Sequence, residues 1–479
     1  MLIVALLLAA FAAVACYDGL PGIQWTLWTT AAAAGLYHYA GPARRDVVLL
    51  LALAVFLAGG AAVTGNGGSD FAILCSCAVL LAVAMRIASG VPVDAVGAAE
   101  IALAAPAGAF ETIGETWRRS GESARDGSMR ASLPVLRGLA LALPLVALLW
   151  ILLGEADPNL SAWGSAIAAW IESLAFVPRL VFGSAVFVLV FGAYGIARRR
   201  APRPARVPAA PAILLGATER AIIAGAVTGL LALFVALQVG YFFGDPAAAA
   251  GTGITYAEWS HRGFGELTTA AVIVTVLVVL LHTHAARGTE RAERTIRALS
   301  LALAALTALV VASAFRRIVL YEQAYGFTEL RLWSQAFMVG VWGALALLAL
   351  EIVTALDARR LARRTAVVAA FLIGALAYWD HDAFIARRNV ERFAGTPKLD
   401  VAYLARGLAV DAIPALVAMR DRLPAEQAEE LMACLAGRRG DRELRPGPWY
   451  QFSWRRAAAR EALATIPEGA ATARGCPGY

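Results

Sequence analysis

The chain of 479 residues is 60% hydrophobic and only 16% charged, with a formal net charge of +7, against roughly 45–50% and 25% for soluble globular proteins. That balance excludes an ordinary soluble enzyme and predicts a polytopic, all-α membrane protein with the lipid bilayer as its first partner. The basic excess does not point to nucleic acid, because it is almost all arginine, with Lys398 the only lysine, and recurs in short clusters between apolar segments rather than in one stripe; that pattern is a topology signal.

Spanning the hydrocarbon core takes roughly 20 apolar residues per helix, with a range of about 17–25. Met1 to Cys16 is the first apolar segment. It ends in "AAVAC", but no Lys or Arg precedes it, which argues against a signal peptide, and whether it spans the membrane stays open. Further spans are predicted for Gln24 to Ala40, Val47 to Val63, Phe71 to Ala88, Leu133 to Leu153, Leu180 to Ala197, Gly216 to Phe242, Leu267 to Ala286, Ile296 to Ala314, Leu332 to Thr354 and Ala366 to Tyr378. This makes about eleven on the length criterion. Gly97 to Trp117, with Glu100, Glu111 and Glu115, and Ser161 to Phe176, with Glu172, read as amphipathic helices in the interface on opposite sides. The "TGNGGSD" stretch from Thr64 to Asp70 lacks the strand and lysine of a phosphate loop and reads as a turn.

Arginines cluster in every second loop: Arg44 and Arg45; Arg118, Arg119, Arg125 and Arg130; Arg198 to Arg200, Arg203 and Arg206; Arg287, Arg291, Arg294 and Arg297; Arg359, Arg360, Arg363 and Arg364. The positive-inside rule places these in the cytoplasm of a bacterial inner membrane. The runs at Arg198 and Arg359 read as topology determinants able to contact anionic lipid. The intervening loops carry Asp18, Asp70, Glu155, Asp157, Asp245, Glu258, Glu322 and Glu329, with Arg179, Arg262, Arg316, Arg317 and Arg331 as basic exceptions. The alternation sends the chain after Tyr378 outward.

Three regions follow. Residues 1–130 hold the N-terminal membrane helices and a cytoplasmic amphipathic segment, 131–380 the main bundle with outward polar loops, and 381–479 a small extracytoplasmic helical domain. In the last, Pro414 opens a helix after Asp411, "PAEQAEELMACLAGRRG" is amphipathic and ends at a glycine, and Trp449 to Ala464 begins with aromatics and continues as a basic helix. Cys16, Cys75 and Cys77 lie in apolar segments, while Cys434 and Cys476 lie in the polar C-terminal region, where a disulfide between them stays open.

Four polar clusters share the outward face: "GEADPN" (Gly154 to Asn159), "TYAEWSHRGFGEL" (Thr255 to Leu267), "YEQAYGFTELR" (Tyr321 to Arg331) and "DHDAFIARRNVER" (Asp380 to Arg392). Charges near a bilayer must pair or reach water, so Arg262 and Arg331 are expected to meet Asp157, Glu258, Glu329 or Asp382. The candidate binding site is Asp157, Glu258, His261, Arg262, Tyr321, Glu322, Tyr325, Thr328, Arg331, Asp382 and Asn389. The bland alternative is that interfacial Tyr, Trp and Arg only anchor helices, although anchoring does not require carboxylates beside arginines. His282 and His284 are two apart and do not converge on a metal, His38 sits near a span end, and His261 and His381 lie beside acids where acid–base or pH-sensitive roles are chemically available. No metal set, cofactor motif or nucleophile arrangement is found, and the sequence does not decide whether the protein is an enzyme.

"EADP", "TYAEWSHRGF", "YGFTELR" and "IARRNVERF…LDVAYL…DAIPAL" occur in this order in a way that resembles an uncharacterised bacterial multi-pass membrane family catalogued as a domain of unknown function, of the 4173 / 4153 type, over roughly residues 130 to 460. Where that pattern carries Arg and Leu, this chain has His261 and Phe327, so a mechanism needing a permanent cation at 261 is in doubt. The resemblance brings no catalytic residues. The reading is an envelope binding or sensing protein with an extracytoplasmic polar site, its C-terminal domain offering a surface for an envelope ligand or partner protein. The alternatives are a transporter, which would want broken or charged mid-membrane helices, and a transferase acting on a lipid-linked substrate with Asp157, Glu258 or Glu322 as base.

Overall fold

The computed structural model describes residues 1–41, 45–125, 146, 149–150, 153, 161, 163–164, 176–199, 215–243, 264–284, 286, 288–396 and 398–467. Among these the fold is helical, with no β-strand. Helix α1 (Leu2–Phe11) runs on through a π turn (Ala12–Cys16) and is followed by α2 (Ile23–Ala40), α3 (Arg45–Val63), α4 (Gly67–Ala88), α5 (Ala98–Ala102) and α6 (Ala104–Arg125). Then come α7 (Val177–Arg199), α8 (Ala217–Phe243), α9 (Phe264–Thr283), α10 (Glu290–Tyr325), α11 (Glu329–Thr354) and α12 (Ala358–Tyr378). Seven of these helices, α3, α4, α7, α8, α10, α11 and α12, are long and apolar enough to cross a membrane. Every expected membrane segment is a helix except Leu133 to Leu153, which lies almost wholly outside the described residues, as does the segment Ser161 to Phe176.

Two apolar cores form within the bundle. One joins α1 to α4 and α7 through Leu8, Leu36, Leu51, Met85 and Tyr194; the other joins α8 to α12 through Ala224, Val278, Leu303, Leu348 and Leu361. Helix α12 links them, packing Ala370 and Ala377 against Leu57 and Ile73 of α3 and α4. Small residues allow close helix approach where lipid offers no hydrophobic drive. At Gly192, a Cβ would stand 2.1 Å from the carbonyl oxygen of Thr112, so α6 and α7 touch backbone to backbone.

Helix α6 is amphipathic, as its spacing predicts, but its polar face turns inward: Thr112, Glu115 and Thr116 are buried while Phe110 and Ile113 are exposed. Glu115 is enclosed by Arg118, Arg119 and Arg199, which offsets part of the cost of burying its charge. A second carboxylate, Glu351 at the end of α11, is 0% exposed and receives Arg360 at 2.8 and 3.0 Å and Arg364 at 2.8 Å. The arginines of Arg199, Arg360 and Arg364 are therefore structural clasps as well as charge markers.

The C-terminal region forms α13 (His381–Phe393), a π turn (Tyr403–Gly407), α14 (Ile413–Ala418), α15 (Ala425–Gly437) and α16 (Trp454–Ala464). Pro414 stands in the first turn of α14, and the aromatic run preceding α16 is a 3-10 turn (Trp449–Gln451). Its core gathers Ile385, Leu404, Ile413, Leu416, Leu431, Leu435 and Leu463, and continues without a break into Leu332 of α11 and Leu376 of α12. This region thus seats on the helix ends. Cys434 is buried in this core and is disulfide-bonded, Cys16, Cys75 and Cys77 are free, and Cys476 lies outside the described residues.

Candidate functional site

Helix α13 organises the polar residues at that seat. Asp380 caps it, accepting from Ala383 N at 3.1 Å, and its first turn points His381 and Asp382 into the junction, both 0% exposed. Asn389 follows seven residues later on the same face, at a second contact with the bundle.

The first contact is built on the Thr64–Asp70 stretch. Asn66 caps α4, its side-chain oxygen accepting from Ser69 N at 2.9 Å, while its amide donates to both Glu329 and Asp382 at 2.9 Å. Beside it, Asp411 accepts from Gly65 N at 2.8 Å, from the Thr64 hydroxyl at 3.1 Å and from Arg455 at 3.1 Å. Gly65 is required here: a Cβ would lie 2.6 Å from the Asp411 carboxylate and 2.6 Å from Val410. Arg455 also donates to Tyr378 O at 2.9 Å, the last residue of α12, and Ser453 donates to Thr64 O at 2.8 Å. One small cluster therefore ties α13, α14 and α16 to α3, α4, α11 and α12.

Burial pushes the Asp382 carboxyl up to about 6; Glu329 and Asp411 add to the rise, while His381 and the Asn66 bond oppose it. Asp411 is also raised by burial, against the pull of Arg455. His381 lies with Nδ1 3.3 Å from Leu376 O, Nε2 3.5 Å from Asp382, and its ring edge-on to Trp333. Among the described residues, neither His381 Nε2 nor Asp382 Oδ1 has a hydrogen-bond partner.

The second contact holds the polar knot between α10 and α11. Asn389 clasps Phe327 twice, accepting from its N–H and donating to its C=O at 2.8 Å each. The turn passes through Gly326 at φ 91°, with no space for a side chain against Asn389. Arg331 donates to Gly326 O and lies 4.2 Å above the Tyr321 ring; Tyr321 and Tyr325 stack at 4.6 Å. Glu322, 2% exposed, accepts from Gln335 at 2.7 Å. Thr328 precedes α11 without a side-chain cap.

Of the residues singled out in the sequence, Tyr321, Glu322, Tyr325, Thr328 and Arg331 gather in the knot, and Asp382 and Asn389 reach the seat from one helix. Asp157, Glu258, His261 and Arg262 lie outside the described residues. Of the four carboxylates expected as partners for Arg331, Asp157 and Glu258 lie outside the described residues, and Glu329 and Asp382 are taken by Asn66; Arg331 meets a carbonyl and an aromatic face. Thr64, Asn66, Asp411 and Arg455 escaped the sequence reading. The clue was an Asn three residues before Ser69, the spacing of a helix cap, in a stretch read only as a turn. No group of three or more potential metal ligands occurs among the described residues.

The model of the family described as "Domain of unknown function (DUF4153)" matches residues 47–419. No curated protein and no solved structure matches the chain. The chain belongs to that family, whose matched region runs from α3 through the rest of the bundle and the knot into the C-terminal region as far as α14.

Proposed function

We propose that this is a bacterial inner-membrane binding or sensing protein, whose C-terminal domain lies outside the cytoplasm and passes its state to the membrane helices through the buried seat. The observation that carries this reading is the closure of the Asn66–Asp382–Asp411–Arg455 cluster: Asn66 is 1%, Asp382 0% and Asp411 1% exposed. A substrate cannot reach these carboxylates without separating domain from bundle, which favours mechanical coupling over turnover. Single-sided arginine loops support the orientation, as does the disulfide at Cys434, a bond suited to an oxidising compartment.

The orientation is tested with Arg420→Cys, an exposed position, and a membrane-impermeant maleimide. Labelling in intact spheroplasts is expected, and labelling confined to inverted vesicles would remove the extracytoplasmic domain. Proteoliposomes of the purified protein are expected to show no solute flux; robust flux abolished by Arg331→Ala would make the protein a transporter instead.

A further inference from the structure

Where the C-terminal domain meets the turn between the π turn and α2, a cavity of about 320 Å³ opens. Its wall carries Arg442, Arg445, Arg456 and Arg460 against two acids, Asp18 and Glu443. Asp18 is committed to Arg179 at 2.5 Å. Three of the arginines are fixed by backbone oxygens: Arg442 by Asp18 O at 2.7 Å, Arg445 by Gly440 O at 3.2 Å and Arg456 by Gln451 O at 3.1 Å. Among the described residues each keeps most of its five donors unspent, Arg456 also donating to Pro21 O. Arg460, one turn beyond Arg456 on the same helix face, makes no hydrogen bond or ion pair among the described residues. Arg456 itself is 3% exposed, so the cavity floor is a buried guanidinium. Four guanidinium groups thus surround a half-open cavity, with the buried Arg456 at its floor.

The cavity lies at the level of the helix ends, since Ile23 N, opening α2, bonds Phe452 O at 2.9 Å. Trp449 on its wall is 71% exposed, and neighbouring Trp454 and Phe452 are 69% and 39% exposed. Exposed aromatics at helix ends are the mark of the headgroup layer, and planar guanidinium forks match phosphate oxygens. The geometry points to a binding site for a phosphate ester presented at the membrane surface, with the arginines holding the phosphate and Trp449 lying along the adjoining chain or glycerol. The site names a ligand class for the binding reading proposed above and rests on that reading only in taking the C-terminal domain as a binding element.

The test uses full-length protein in phosphatidylcholine nanodiscs doped with phosphatidylglycerol, and native mass spectrometry of retained lipid. Preferential retention of phosphatidylglycerol is expected. Arg445→Gln/Arg460→Gln should weaken it about tenfold or more, the loss expected for one or two charge-assisted bonds. Glu443→Gln, which removes the opposing acid, should strengthen it and guards against a merely misfolded double variant. Displacement by soluble glycerol phosphate would identify the phosphate ester alone as the ligand, and resistance to it would identify the intact lipid. Equal retention of both lipids, or retention unchanged in the double variant, overturns the site. Nanodiscs expose both faces, so a thiol label on the unexpected side would sink the sensing proposal and leave this one standing.

Discussion

Asp411 and Asp382 are both buried carboxylates, yet they sit in different chemistry. Asp411 has a cation, a hydroxyl and a backbone N–H aimed at it, so removing it strands three donors at once. Asp411→Ala should cost about 3–5 kcal/mol, because it breaks a buried pair and leaves Arg455, among the described residues, only Tyr378 O and the Asp380 carboxylate at 3.9 Å; the cost is measured as a fall in the unfolding midpoint of detergent-solubilised protein. Among the described residues, Asp382 has only the Asn66 amide and a histidine nitrogen at 3.5 Å. Its carboxyl binds a proton more readily folded than unfolded, so its contribution to stability is present below the ordinary carboxylate range and is lost as the pH rises through about 6. The midpoint of the wild type should therefore decline over that window relative to Asp382→Asn; parallel profiles would mean that Asp382 is already ionised in the folded chain.

At the scale of elements, helices were legible because they need only length and apolarity, and both survive in a single sequence. The seat was not, because it depends on Asn66 and Asp382 meeting across more than three hundred positions, which no local pattern encodes. Only the 321–331 knot, whose members are neighbours in sequence, was readable as a cluster, and even there Arg331 chose a carbonyl over an acid. The arginine-rich turns show the same limit, since a charge count assigns them a side but not Glu115 or Glu351 as partners. The turn joining α11 to α12 adds a strained residue: Ala355 has φ 98° and ψ 105°, and its carbonyl accepts from Arg360 at 2.8 Å. A non-glycine residue there costs on the order of 1–3 kcal/mol, offset in part by the greater unfolded-state freedom of glycine. Ala355→Gly should raise the unfolding midpoint by the equivalent of about 1 kcal/mol; a lowered midpoint would show that the backbone relaxes around alanine.

Across the whole molecule, two polar rims bracket an apolar bundle and differ in kind. At the arginine-rich rim, Glu115 and Glu351 are each held by arginines close in sequence or on the next helix, so each clasp fixes a pair of helices. At the opposite rim, Asp411 and Asn66 join segments more than three hundred residues apart, and the apolar core beneath them runs without a break from Leu463 to Leu332. A domain attached this way shares its opening free energy with the helix ends it covers, because separating the two exposes the core and strands the buried carboxylates together. Hydrogen exchange should consequently report one cooperative unit. In Asp411→Asn, which weakens the clasp while keeping the side-chain volume, amides of residues 64–70 and of α16 should accelerate by the same factor, although they lie at opposite ends of the chain. Acceleration confined to α16 would show a domain that frays independently, and a change of state in it would then have no route into α3 and α4.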